Sequence, residues 1–202
     1  LNIRTLAPAA LYPYTPYQPN AAALANLHGT GDGCSTYGNR NFWVYYNQWF
    51  GAPTNPAPER IAAAHAAAGG DAGWLGPAKS GYVCGLVRGG CYREFTNAAV
   101  YASYRTQGNP ISGAQRTLWN QLRAQDGVLG YPTTGRIDGL IRGGSYQVFE
   151  SGAIFTHPGG TVPIWGAIKS TWFDMGSEWG AAGYPTSAEK GVTGGVVQDF
   201  EG

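Results

Sequence analysis

Residue types able to carry covalent or acid–base chemistry are sparse in this chain: three cysteines, three histidines and twelve carboxylates among 202 residues. Cys34, with His28 six positions before it, is the nearest approach to a nucleophile–base pair. Neither His28, His65 nor His157 has a carboxylate or cysteine at a recurring distance. Asp174 and Glu178 stand at i, i+4 on an expected helix and could mimic an acid pair, but they read better as a solvated face. "GCSTYG" lacks the Gly-x-Ser-x-Gly pattern of a nucleophile elbow. No Gly-x-Gly-x-x-Gly links a strand to a helix, so no dinucleotide loop is expected. No cysteine sits in Cys-x-x-Cys spacing with histidine nearby, which argues against zinc. The expectation is a protein with no catalytic residues, no metal and no cofactor.

Cys84 and Cys91 flank "GLVRGG", a spacing that suits a bridge between the arms of a hairpin. A Cys84–Cys91 disulfide would imply an oxidising compartment. The competing reading is three reduced, buried thiols, and either way Cys34 is left over, buried or paired between chains.

The elements that would position any site are set by an unusual composition. Glycine is 32 of 202 residues, charged residues are 12% and aromatics 13%. Much glycine and few helix-favouring charges predict a turn-rich fold of short elements. The formal net charge is +1 with no basic run, so a nucleic-acid partner is not expected. Apolar runs are too short for a membrane span. "LNIRTLAPAA" has no initiator Met and no signal peptide, as expected of a mature or trimmed product.

The chain repeats itself. Trp119, Gly130, Tyr131, Pro132 and Thr133 recur 53 residues later as Trp172, Gly183, Tyr184, Pro185 and Thr186. Gly143-Gly144, Gln147 and Phe149 then meet Gly194-Gly195, Gln198 and Phe200. A worn copy lies 54 residues upstream, where Arg88-Gly89-Gly90 matches Arg142-Gly143-Gly144 and Phe95 matches Phe149. There His65 replaces the Trp, Pro77 the Tyr and Ala78 the Pro. "NFWVYYNQWFGAPT" carries a partial echo of the turn.

Each copy predicts a short helix, such as "GAQRTLWNQLRAQ", then a Gly-aromatic-Pro turn, then two alternating strands around Gly-Gly. Such a unit cannot bury its apolar face alone, so neighbours must share a core. The predicted fold is α+β: tandem short-helix plus β-hairpin repeats of about 53 residues in a closed or curved array. Residues 1–40 read as an extended Tyr/Pro-rich arm and turn-rich segment, 41–58 as a partial degenerate repeat, and 59–202 as the repeat domain.

The Leu-Gly-aromatic-Pro-Thr turn, the Trp eleven residues before its Gly and the Gln-x-Phe hairpin together resemble the LGFP repeat family. That family occurs in secreted, envelope-associated proteins of high-GC Gram-positive bacteria, appended to esterases, mycoloyltransferases, amidases or lysozymes. The resemblance implies a secreted, non-catalytic module that binds cell-wall glycan and anchors a fused or associated enzyme or surface protein. Two alternatives stand beside it: an assembly subunit that docks to partner chains by strand addition, and an accessory region of a secreted hydrolase or esterase. The third copy stops at "DFEG", short of its last strand, and "LNIRTL" is a candidate to close the array or pair with a neighbour.

Sugars stack their C–H faces on aromatic rings, with polar groups at the rim. Trp119, Trp172, Phe149 and Phe200 suit the core. Tyr131 and Tyr184, in turns, are expected to be half exposed. The candidate ligand-binding residues are therefore Tyr131, Tyr184, Trp74, Trp179, Gln147 and Gln198. For the two glutamines the competing role is a structural hydrogen bond.

Overall fold

A helix followed at once by a glycine-rich reversal recurs three times in the computed structural model, which describes residues 55–202. The helices are α1 (Ala57–Ala67), α2 (Gly113–Gln121) and α3 (Gly166–Asp174). Helices this short are marginal alone and depend on the face they bury. That face is Ala57 and Ile61 in α1, Gln115 and Trp119 in α2, and Trp172 in α3. A left-handed residue ends each one: Gly69 (φ 97°), Arg123 (φ 70°) and Gly176 (φ 94°). A single 3-10 turn follows, then Gly73, Gly127 or Gly180. A Cβ at these glycines would lie 1.8, 1.6 or 1.9 Å from the carbonyl oxygen of Ala68, Leu122 or Met175. The chain can therefore fold back against the helix end only where a side chain is missing.

Antiparallel strands follow each reversal. The first sheet runs β1 (Val83–Leu86), β2 (Gly90–Glu94), β3 (Ala99–Ala102) and β4 (Asn109–Ile111) in order. The second runs β5 (Ile137–Asp138), β6 (Ser145–Val148), β7 (Gly152–His157) and β8 (Gly160–Trp165). The third unit has β9 (Lys190–Val192) paired with β10 (Gly195–Val197). Two strands per copy were expected; the first two units have four. The added strands lie in segments between one hairpin and the next helix, where Asn109-Pro110-Ile111 and the longer Gly160–Trp165 carry no turn signal of their own.

In the two four-stranded sheets the inner strands β3 and β7 are buried on both faces, whereas β9 and β10 of the third unit are exposed. Val100 and Ala102 of β3 pack with Ile61 and Phe95, while Ala99 and Tyr101 pack with Trp119 of the next unit. In the second sheet Ile154 packs with Trp119, and Ala153 and Phe155 with Trp172. The alternation of β-strand side chains thus links one helix to the next through the sheet between them. Tyr101 meets Trp119 edge-on at 4.8 Å, and Phe155 meets Trp172 likewise at 4.9 Å. The array is α+β with repeats of about 53 residues, as the sequence predicts.

In the first two units Gly-Gly is not the tip of a two-residue hairpin; in the third, Thr193-Gly194 closes one between Val192 and Gly195. Val87–Gly89 and Ile141–Gly143 are 3-10 turns in which Arg88 (φ 53°) and Arg142 (φ 54°) are left-handed, an uncommon place for a long side chain. Cys84 and Cys91 are directly opposed in β1 and β2, 4.1 Å apart at Cα, and joined by a disulfide. The expected arm over 1–40 and the partial copy up to residue 54 lie outside the described residues, as do Cys34, His28 and "LNIRTL". No described helix is long and apolar enough to cross a membrane.

Candidate ligand surface and the joints between units

Tyr131 and Tyr184 do not face solvent. Both are 0% exposed, which corrects the expectation of half-exposed turn residues. The Tyr131 hydroxyl donates to the Val87 carbonyl of the preceding unit at 2.8 Å, and Tyr184 donates to Ile141 at 2.8 Å. The second glycine of each Gly-Gly makes this possible. A Cβ on Gly90 would lie 1.8 Å from the Tyr131 hydroxyl, and one on Gly144 would lie 2.2 Å from that of Tyr184. Burial raises both phenols above the usual tyrosine range.

A charged pair closes each socket. Arg88 lies 2.8 Å from Glu150 Oε2, which also accepts the Tyr131 N–H at 2.9 Å. Arg142 pairs with Glu201, whose Oε2 accepts the Tyr184 N–H at 2.9 Å. The guanidinium of Arg88 sits 5.3 Å from the centre of the Tyr131 ring, and that of Arg142 sits 5.2 Å from Tyr184. The left-handed turns that hold these arginines aim them across the joint. Arg88 and Arg142 occupy the same position in the repeat, but nothing in their local sequence marks this role. Glu150 and Glu201, each directly after its aligned Phe, were missed; that spacing was the available signal.

The other repeated polar residues are also structural. Trp119 Nε1 donates to the Gly130 carbonyl at 2.9 Å, and Trp172 Nε1 to Gly183 at 2.8 Å. In the worn first copy His65 Nε2 lies 3.0 Å from the Gly76 carbonyl, so the smaller ring makes the same bond. Gln147 Nε2 donates to the Pro110 and Thr134 carbonyls, both at 2.8 Å. Gln198 Nε2 donates to Pro163 at 2.9 Å and Ser187 at 2.7 Å. Each glutamine therefore spends its amide N–H groups tying one unit to the strand before it. Buried His157 stacks on Tyr184 at 4.5 Å and reaches the Pro185 carbonyl at 3.1 Å. The expected helical pair of Asp174 and Glu178 is not formed as such: α3 ends at Asp174, and Glu178 is buried in the 3-10 turn beyond the left-handed Gly176.

Trp74 and Trp179 behave differently. They are 54% and 75% exposed, beside the Gly turns of the first and third units. The units serve as internal controls. The position of Trp74 holds Val128 and Ala181 in the other two, and that of Trp179 holds Ala72 and Asp126, all of them exposed. The fold accepts small or polar residues at both places, so neither indole is needed for packing. Two concavities lie on the described units, neither lined by Trp74 or Trp179. An apolar groove of about 260 Å³ is lined by Ile168, Thr171, Trp172, Met175, Ala182 and Phe200. A polar cleft of about 220 Å³ lies at the first joint, between Arg88, Arg105, Val128, Glu150 and Ser151.

Helix–sheet units keyed to one another through a buried tyrosine define a tandem-repeat module rather than a domain assembled around a catalytic cluster. The LGFP repeat profile matches residues 75–127 and 129–180, just over half of the chain, and the chain belongs to the LGFP repeat family. Each matched stretch begins at the Leu of a turn and runs past the following helix. The family is bacterial and recurs in secreted and cell-wall proteins. No curated protein matches the chain significantly.

Proposed function

We propose that this protein is a secreted, non-catalytic module that binds a cell-wall polysaccharide and anchors a fused or associated protein to the bacterial envelope. The observation that carries the reading is the pair of exposed indoles, Trp74 and Trp179, at positions where the sister units carry Val, Ala or Asp. An exposed tryptophan leaves a large apolar face in water, which the fold does not require, and a flat apolar face in a turn is what a sugar ring stacks against. Family membership supports the same assignment, since a repeat module commonly placed in wall proteins needs a means of staying there. Tyr131, Tyr184, Gln147 and Gln198 are used up inside the joints and leave the ligand set; Trp74 and Trp179 remain in it. Retention of the purified chain on isolated wall polysaccharide, compared with a variant lacking both indoles, tests the reading.

A further inference from the structure

The polar cleft at the joint between the first and second units holds a cationic group that the fold does not use. Arg105 stands on the loop between β3 and β4. That loop is held rigidly: Ser103 Oγ receives the N–H groups of Arg105 and Thr106, both at 3.2 Å, and Ser103 N–H donates to Thr106 Oγ1 at 3.1 Å. Arg60 Nη1 binds the Ser103 and Thr106 carbonyls from α1. The backbone is thus fixed while the Arg105 side chain is exposed and forms no ion pair among the described residues. The corresponding loop of the second unit, Pro158-Gly159, carries no arginine or lysine, so the joint forms without one.

Across the cleft Arg88 is already oriented, by Glu150 at 2.8 Å and by the Gln125 carbonyl at 3.1 Å. Two guanidinium groups, one carboxylate, the Ser151 hydroxyl and the backbone of Gly127 and Gly130 surround the space, with Val128 as its apolar wall. The lining carries a net positive charge together with acceptors for hydroxyl groups. At about 220 Å³ the space is on the scale of a single sugar ring.

We propose that this cleft binds one carboxylate-bearing sugar residue, its carboxylate on Arg105 and Arg88 and its ring hydroxyls on Glu150 and Ser151. A guanidinium–carboxylate contact fixes both charge and orientation, which a stacking surface alone does not. This inference rests on the glycan-binding reading and assigns it a second, charge-selective subsite. Amide chemical shifts of the full chain, titrated with glucuronate, glucose and acetate, test it. Glucuronate should shift the Gly127, Val128, Gly130 and Ser151 amides, glucose should leave them unmoved, and acetate should bind more weakly than glucuronate. Arg105→Gln should weaken glucuronate by about tenfold, the scale of one charge-assisted hydrogen bond. The proposal is overturned if glucuronate leaves these amides in place, if Arg105→Gln binds equally well, or if acetate matches glucuronate. Wall retention of the unmodified chain alongside an empty cleft would defeat this subsite alone. A filled cleft in a chain that ignores wall polysaccharide would defeat the functional reading alone.

Discussion

The Tyr131 hydroxyl donates to the Val87 carbonyl, 44 residues earlier in the chain, across 2.8 Å. Tyr184 makes the same bond to Ile141 across 43 residues. A side chain of one unit thus completes the backbone of the unit before it, so the stability of each unit depends on its neighbour.

Removing only the hydroxyl measures that dependence. Tyr131→Phe removes the donor to the Val87 carbonyl and should cost about 0.5–1.5 kcal/mol, the net worth of one hydrogen bond. Thermal unfolding should show a loss in the joint of the first two units, and Tyr184→Phe should show a matching loss in the second joint. Equal melting of Tyr131→Phe and the unmodified chain would remove the hydroxyl from the account.

The socket can be tested from its other side. Gly90→Ala places a methyl where the Tyr131 hydroxyl lies, 1.8 Å away in the present geometry. The phenol must withdraw, and the substitution should destabilise by about 1–3 kcal/mol as overpacking. A double variant with Tyr131→Phe should cost less than the sum of the two, because both disturb one contact.

The second joint responds to pH at both ends of the scale, and the first at the alkaline end. Glu201 is held below the usual carboxylate range, first by the Tyr184 N–H and then by Arg142. A carboxylate depressed in the folded state contributes stability above its unfolded pKa and loses it as pH falls through the folded value. The second joint should therefore weaken in acid, and Glu201→Gln should flatten that dependence. Burial raises Tyr131 and Tyr184. Their contribution is complete below the ordinary phenol pKa of about 10 and fades as pH rises through the folded values. Ultraviolet titration should show these phenols ionising after the exposed tyrosines; ionisation of all tyrosines together at the ordinary pH would contradict the buried sockets.

The disulfide belongs to the first unit alone, since the aligned positions downstream are Asp138 and Ser145. Cys84→Ser with Cys91→Ser should cost about 2–4 kcal/mol. The loss should concentrate in hydrogen exchange of β1 and β2 and leave the second sheet protected.

Much of the frame was legible in the sequence because repetition is a global signal. The unit length, the helix-then-turn order, the core placement of Trp119 and Trp172, and the Cys84–Cys91 bridge follow from residue types at fixed spacing. The sockets were not legible. A tyrosine in a Gly-aromatic-Pro turn has the local signature of an exposed residue, and only the approach of another unit, with Gly90 or Gly144 making room, buries it. Tertiary contact likewise decided the fate of Gln147 and Gln198, whose amides could have faced either a ligand or a neighbouring strand. Of the extra strands, β4 is only three residues long, too short to show a period, and β8 is buried over Val162–Ile164, where alternation is lost.

Co-sedimentation of the full chain with insoluble cell-wall polysaccharide, before and after joint substitution of Trp74→Ala and Trp179→Ala, tests the functional account most directly. The unmodified chain should pellet with the glycan. The double variant should melt at the same temperature, since neither indole packs in the core, and should bind about tenfold more weakly or worse. A folded double variant that pellets as well as the unmodified chain, or an unmodified chain that stays in the supernatant, would contradict it.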